Sequence, residues 1–232
     1  MCGRFALRAA NDKIAAAFEL QETPLLNSRH NIAPSQPIAV VRQAESGQRE
    51  LVWLRWGLIP AWAKDAKIAF STINARAETV AEKPAFRQAF RKRRCLILLD
   101  GFYEWPVRNG KKQPHFIHMR NDEPFAVAGL WERWDGESPP LESCSMIVTA
   151  ANEVLKPIHD RMPVILHPAD YDRWLDPSHT QLAELQSLLQ PYPGTNMEAY
   201  PIQGLSTPEL ATTSIRLPPT PRLLWDDGDL VS

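Results

Sequence analysis

The sequence predicts an α+β domain with a mainly antiparallel, barrel-like β-sheet and peripheral helices. Two observations point there. Short β-type runs recur along the chain with few helical patterns between them, and no phosphate-loop or dinucleotide fingerprint marks repeated βαβ units. With 232 residues, 44% hydrophobic and 23% charged, the chain can bury a sizeable core without disulfide or metal staples. No Gly/Ser linker, low-complexity block or internal repeat divides it. One domain over 1–232 is expected, with a Pro-rich, acidic segment over 203–232.

In chain order, Asn11 to Leu20 has helical spacing, and Asn11 suits an N-cap. Pro37 to Arg42 and Leu51 to Trp56 are strand-like, and Leu58-Ile59-Pro60 reads as a rigid turn after them. A helical pattern over Ala77 to Arg91 is broken at Pro84. Arg94 to Leu99 contains the longest aliphatic stretch, and it is only a strand's worth. Further strands are expected at His115 to Met119, Phe125 to Trp131, Ser145 to Thr149 and Val164 to Leu166. Helices are expected at Pro168 to Leu175 and Thr180 to Leu189.

A net charge of −1 argues at first against a nucleic-acid partner, but it conceals an asymmetry. Residues 1–120 carry 20 Lys and Arg against 10 Asp and Glu, or +10, whereas 121–232 carry 6 against 17, or −11. The first half can therefore supply a surface that faces a polyanion, or the two halves are simply complementary in charge. Cys2, Cys95 and Cys144 are an odd set without an apolar signal core, so a reduced, intracellular protein is expected, and no run is long enough to span a membrane.

Cys2 carries the most chemical information. Removal of Met1 would leave a 1,2-aminothiol whose amine and thiol titrate near 8 and 8.5, so both are partly nucleophilic near neutrality. Such a pair condenses with an aldehyde to an imine and closes to a thiazolidine. The alternative is a cysteine that merely follows Met1. Glu104, among Phe102, Tyr103 and Trp105, is a candidate acid–base with a raised pKa, or else an outward-facing strand residue. His159 and Arg161 flank Asp160 as a proton shuttle and an anion clamp, or as a salt-bridged turn. Asn74 and Arg76 share one face of an extended segment, unless Asn74 caps a helix. Arg87, Arg91 and Arg94 would form a cationic stripe if the helix reaches that far. Any exposed ring among Trp53, Trp56 and Trp62 could stack on an unpaired base. His115 and His118 face opposite sides of a strand and the cysteines lie far apart, so no metal site is expected.

Six stretches carry a resemblance: MCGRF at 1–5, NIAPSQ at 31–36, WGLIPAW at 56–62, INARAET at 73–79, RCLILLDGFYEW at 94–105 and IHDRMP at 158–163. In this order they resemble the SOS-response-associated peptidase (SRAP) family. The resemblance covers about 2–174. It implies recognition of abasic sites in single-stranded DNA and a covalent crosslink through Cys2 as the mature N-terminus. Asn74 would orient Cys2 and the sugar, Glu104 would donate and accept protons, and His159 would assist at the Schiff base. Arg4, Arg76, Arg161 and Thr149 would hold phosphates, with Pro34 and Trp62 shaping the DNA groove. AP-lyase and autopeptidase activities, a cytoplasmic, nucleoid-associated location and a monomer without cofactor are also expected. Two other readings are a cysteine peptidase confined to removing Met1 and a noncovalent reader of modified DNA. Two departures stand out: Leu98-Leu99 replace the family's usual Pro-Ala, and Ile202 to Ser206 lack its Val-Ser…Val-Asn signature.

Overall fold

The computed structural model describes residues 2–22, 25–108 and 110–202. In chain order its strands are β1 (Phe5–Leu7), β2 (Arg29–Ile32), β3 (Pro37–Gln43), β4 (Arg49–Trp56), β5 (Asn74–Arg76), β6 (Arg94–Leu99), β7 (Gly101–Glu104), β8 (Val107–Arg108), β9 (Lys111–Lys112), β10 (His115–Met119), β11 (Phe125–Trp134), β12 (Leu141–Ala150), β13 (Arg161–Pro163) and β14 (Met197–Pro201). The helices are α1 (Asn11–Phe18), α2 (Arg87–Lys92), α3 (Tyr171–Leu175) and α4 (Leu182–Ser187).

Five strands close on themselves. β11 pairs with β6, β6 with β3, β3 with β4, β4 with β12, and β12 returns to β11. All these ladders are antiparallel except β4–β12, so the fold is α+β with a mainly antiparallel barrel. Every residue of β6 is buried, which explains why Cys95 to Leu99 is apolar without alternation: neither face meets water.

The edge of β12 also serves a second partner. It pairs in parallel with β4 at Cys144 and Trp56, then with β5 at Met146 and Asn74. The chain between these contacts leaves the barrel as an excursion over 57–73 that carries Trp62 and a 3₁₀ turn at Ala66–Ser71. Gly57 begins the excursion with φ at +129°, and a Cβ there would lie 2.8 Å from the Ala69 carbonyl oxygen. On the other edge of β12, β13 pairs Arg161 with Ala150 and Met162 with Thr149. The strand β12 thus brings Asn74 and Arg161, distant in sequence, to one end of the barrel.

A second sheet, ordered β14-β10-β7-β1-β2, holds the N-terminal strand between β7 and β2. Phe5 pairs with Phe102 on one side and Ile32 on the other, and its ring meets Trp56 edge-on at 5.1 Å. Burying such a side chain contributes roughly 1.5–3 kcal/mol, enough to anchor a terminus. Buried Asp100 reinforces the anchor by accepting the amides of Arg8 and Ala9 and the Arg8 guanidinium. Gly101 follows because a Cβ there would stand 2.1 Å from Phe116 Cζ and 2.9 Å from the Ile117 oxygen.

Several elements differ from expectation. Asn11 opens α1 but does not cap it; its Oδ1 accepts the Leu26 amide at 3.2 Å. Ala77 to Arg91 is a chain of turns, with only the short α2 at its end. Arg94 therefore starts a strand and shares no helical face with Arg87 and Arg91. Its guanidinium is buried and donates to the carbonyls of Phe90, Arg91, Trp174, Asp176 and His179, so it is structural. The strand expected at Val164 to Leu166 reduces to one bridge at Ile165, and β13 lies just before it. The short strands β1, β2, β5 and β14 are set by their neighbours rather than by local pattern. The Pro-rich segment over 203–232 lies outside the described residues.

Candidate active site

Cys2 is fully buried, three residues before the anchored Phe5. The side-chain amide of Asn74 donates to its carbonyl oxygen at 2.8 Å. This bond holds the N-terminal backbone, and the position of Asn74 at the start of β5 is fixed by its register with Met146. The Oδ1 atom of Asn74 is buried without a hydrogen-bond partner and remains available as an acceptor. The Cys2 Sγ lies 3.8 Å from the Arg4 carbonyl oxygen, a weak contact. Burial pushes the thiol far above its usual pKa, and the nearby Glu104 carboxylate pushes it in the same direction. At rest, Cys2 is a neutral thiol.

Glu104 ends β7, which is flanked by β1 and β10, and it is 4% exposed. Burial raises its pKa above the ordinary carboxylate value, while the field of His159 acts the other way. Cys2 feels the charge of Glu104, and Glu104 that of His159, so the three lie near one another.

His159 offers one ring nitrogen to two opposed contacts. Its Nδ1 is 2.9 Å from the Arg161 amide nitrogen and 2.8 Å from Asp160 Oδ1. The neutral ring can accept the amide, whereas the imidazolium can donate to Asp160.

Arg4, Arg76 and Arg161 each lie two residues along the chain from Cys2, Asn74 and His159, respectively. Arg4 Nη1 donates to Asn31 Oδ1 at 2.8 Å, Arg76 is exposed on β5, and Arg161 is ion-paired with Glu78. Pro34 is half-buried in the turn before β3, beside Ser35 at φ +71°. Trp62 is 59% exposed, with its indole N–H 3.4 Å from the Pro84 oxygen. Thr149 is buried within β12, beside Met162 of β13. Of the other tryptophans weighed for stacking, Trp56 is buried in the core and Trp53 is half-buried.

Asn31 and Glu78 are the partners that sequence reasoning did not assign, whereas the His159–Asp160 pair belongs to the salt-bridged turn weighed for that triplet. Asn31 and Glu78 each lie inside one of the six matching stretches, so the segments were visible but their pairings were not. Among the described residues, no group of three or more His, Cys, Asp or Glu side chains could hold a metal ion. No described helix is long and apolar enough to cross a membrane.

The α+β barrel fold thus holds a buried cysteine near an asparagine amide, a carboxylate and an imidazole. The family model described as SOS response associated peptidase (SRAP) matches residues 1–205, and the chain belongs to that family. The abasic site processing protein YoqW of Bacillus subtilis (strain 168) is 46% identical over 210 residues, covering 88% of this chain and 93% of that protein. The abasic site processing protein HMCES of Gallus gallus is 33% identical over 190 residues, covering 70% of this chain and 55% of that protein. Among solved structures, a Bacteroides thetaiotaomicron protein aligns with a TM-score of 0.79 at 31% identity, over 88% of this chain and 93% of that one.

Proposed function

We propose that this protein recognises abasic sites in single-stranded DNA and captures them covalently through Cys2 after hydrolysis of the Met1–Cys2 peptide bond. The observation that carries this reading is Cys2 itself, buried beside Glu104 and held through its carbonyl by Asn74. The names of the bacterial and animal relatives support the substrate.

An abasic sugar interconverts between a closed hemiacetal and an open aldehyde. The raised pKa of Glu104 keeps a larger protonated fraction than an ordinary carboxyl has, so it can protonate the ring oxygen as the sugar opens. The Cys2 amine then adds to the aldehyde carbon and one water leaves, giving an imine. The thiol follows: sulfur adds to the imine carbon, its proton is lost, and the imine nitrogen gains one, closing the thiazolidine. Glu104 as carboxylate and His159 move those protons. Asn74 holds the attacking residue through its carbonyl.

Specificity follows from what the lesion lacks. An abasic nucleotide has no base edge to read, so recognition must combine an aldehyde trap with backbone contacts that ignore sequence. Arg4, Arg76 and Arg161 would make those contacts, and the exposed ring of Trp62 would stack on a neighbouring base.

A cysteine peptidase acting on other chains would need a thiolate, generated by a histidine that lowers the thiol pKa. The Cys2 thiol is pushed in the opposite direction. Intact-mass measurement after incubation with an abasic oligonucleotide tests the proposal. The expected species weighs the chain without Met1, plus the oligonucleotide, minus one water. Retained Met1, or an adduct in which no water is lost, contradicts it.

A further inference from the structure

Of these three arginines, Arg161 is the one tied to a carboxylate. Arg4 is held by the neutral oxygen of Asn31 at 2.8 Å, which positions the guanidinium and leaves its charge intact. Arg161 is instead ion-paired through Nη1 with Glu78 Oε1, and that carboxylate cancels the charge a phosphate would read. Partial burial works against ionisation of Glu78, yet its own backbone amide, Arg161 and the nearby Arg76 together hold its carboxyl below the ordinary value. Half of the Glu78 side chain is open to solvent, so it can leave Arg161 and be hydrated without a buried charge being stranded.

We propose that Glu78 is a built-in competitor for the DNA backbone: its carboxylate occupies Arg161 in the free protein, and a phosphate engages Arg161 only by displacing it. This deepens the proposed function and rests on Arg161 being a phosphate ligand. A residue needed only to position the guanidinium could be neutral, as Asn31 is for Arg4. A carboxylate positions it and also lowers affinity for any anion that cannot displace it. Undamaged single strands are thereby held weakly, and the covalent step decides which strand is retained.

The test uses the full chain, a fluorescent single-stranded oligonucleotide without an abasic site, and anisotropy at several salt concentrations, so capture chemistry does not contribute. Glu78→Gln is expected to tighten binding about two- to five-fold, the range of an exposed ion pair. It should also steepen the dependence of log K on log salt by about 0.7, one further phosphate neutralised. Glu82→Gln, in the exposed turn that follows, controls for the general gain of one positive charge and should leave affinity nearly unchanged. In an Arg161→Gln background, Glu78→Gln should have no effect. Weaker binding by Glu78→Gln would make Glu78 a tether and overturn the proposal, as would an equal gain from Glu82→Gln. If Arg161→Gln alone leaves affinity unchanged, Arg161 is not a phosphate ligand, and the role assigned to it under the proposed function falls together with this inference.

Discussion

Glu104 sets both the pH response and a stability cost of the site. Its pKa is raised in the fold because burial disfavours the carboxylate. The native state therefore holds the proton to a higher pH than the unfolded chain does, and stability falls as pH rises from the unfolded value through the folded one. Glu104→Gln keeps the shape and removes that penalty. Its melting temperature should exceed the wild-type value at pH 7, and the gap should close toward pH 4. A lower melting temperature at pH 7 would show that the carboxylate contributes more through its contacts than it loses by burial.

The same substitution should slow capture by roughly 10² to 10⁴, the usual worth of a positioned proton donor. The profile should change shape as well. In the wild type, deprotonation of the amine raises the rate with pH while loss of the Glu104 proton lowers it, giving a maximum. With glutamine the falling limb should vanish. Rates of adduct formation across pH 5 to 9 check this, and an unchanged profile would remove Glu104 from the chemistry. At the residue scale, Cys2, Glu104 and His159 each had an ordinary structural alternative in the sequence, and the resemblance is what singled them out. Asn31 and Glu78 were not legible, since an asparagine or a glutamate in a turn has many uses and only spatial pairing selects one.

At the scale of elements, strong local patterns predicted strands well. The runs within β3, β4, β6, β10, β11 and β12 are apolar enough to declare themselves, and closure of β11 onto β12 follows from their pairing. The misreadings share one cause, which is tertiary context overriding local pattern. Ala77 to Arg91 has helical spacing, but Ala77 is drawn into a hydrogen bond with the Val148 oxygen as β5 ends, and turns fill the space before α2. Arg94 looked like part of a cationic stripe because nothing in the sequence reveals that the end of α3 docks against it.

The burial of Arg94 lowers its pKa to about 10, yet five backbone carbonyls surround it. Arg94→Met would leave those carbonyls without their donor and should cost about 3–5 kcal/mol, as for a broken buried network. Chemical denaturation measures that loss. The folded fraction should still capture DNA at the wild-type rate, whereas a rate defect in fully folded protein would return Arg94 to the DNA-binding surface.

For the whole molecule, the net charge of −1 hides a local arrangement. Cys2, Arg4, Asn74, Arg76 and Glu104 come from the basic half, while His159 and Arg161 come from the acidic half and reach the site because β13 pairs with β12. The meeting of residues from both halves is thus a product of topology, which the charge of either half does not reveal. A few guanidiniums on a nearly neutral protein should bind intact strands weakly and lose them as salt rises. Tight, salt-insensitive binding by Cys2→Ala would contradict that expectation.

The central claim, covalent capture through the N-terminal aminothiol, is tested most directly on a denaturing gel after incubation with single-stranded DNA bearing one abasic site. The wild type should give a slow-migrating adduct that survives heating, and Cys2→Ala should give an adduct only when borohydride traps the imine. No adduct with the wild type, or an equally heat-stable adduct with Cys2→Ala, would contradict the account.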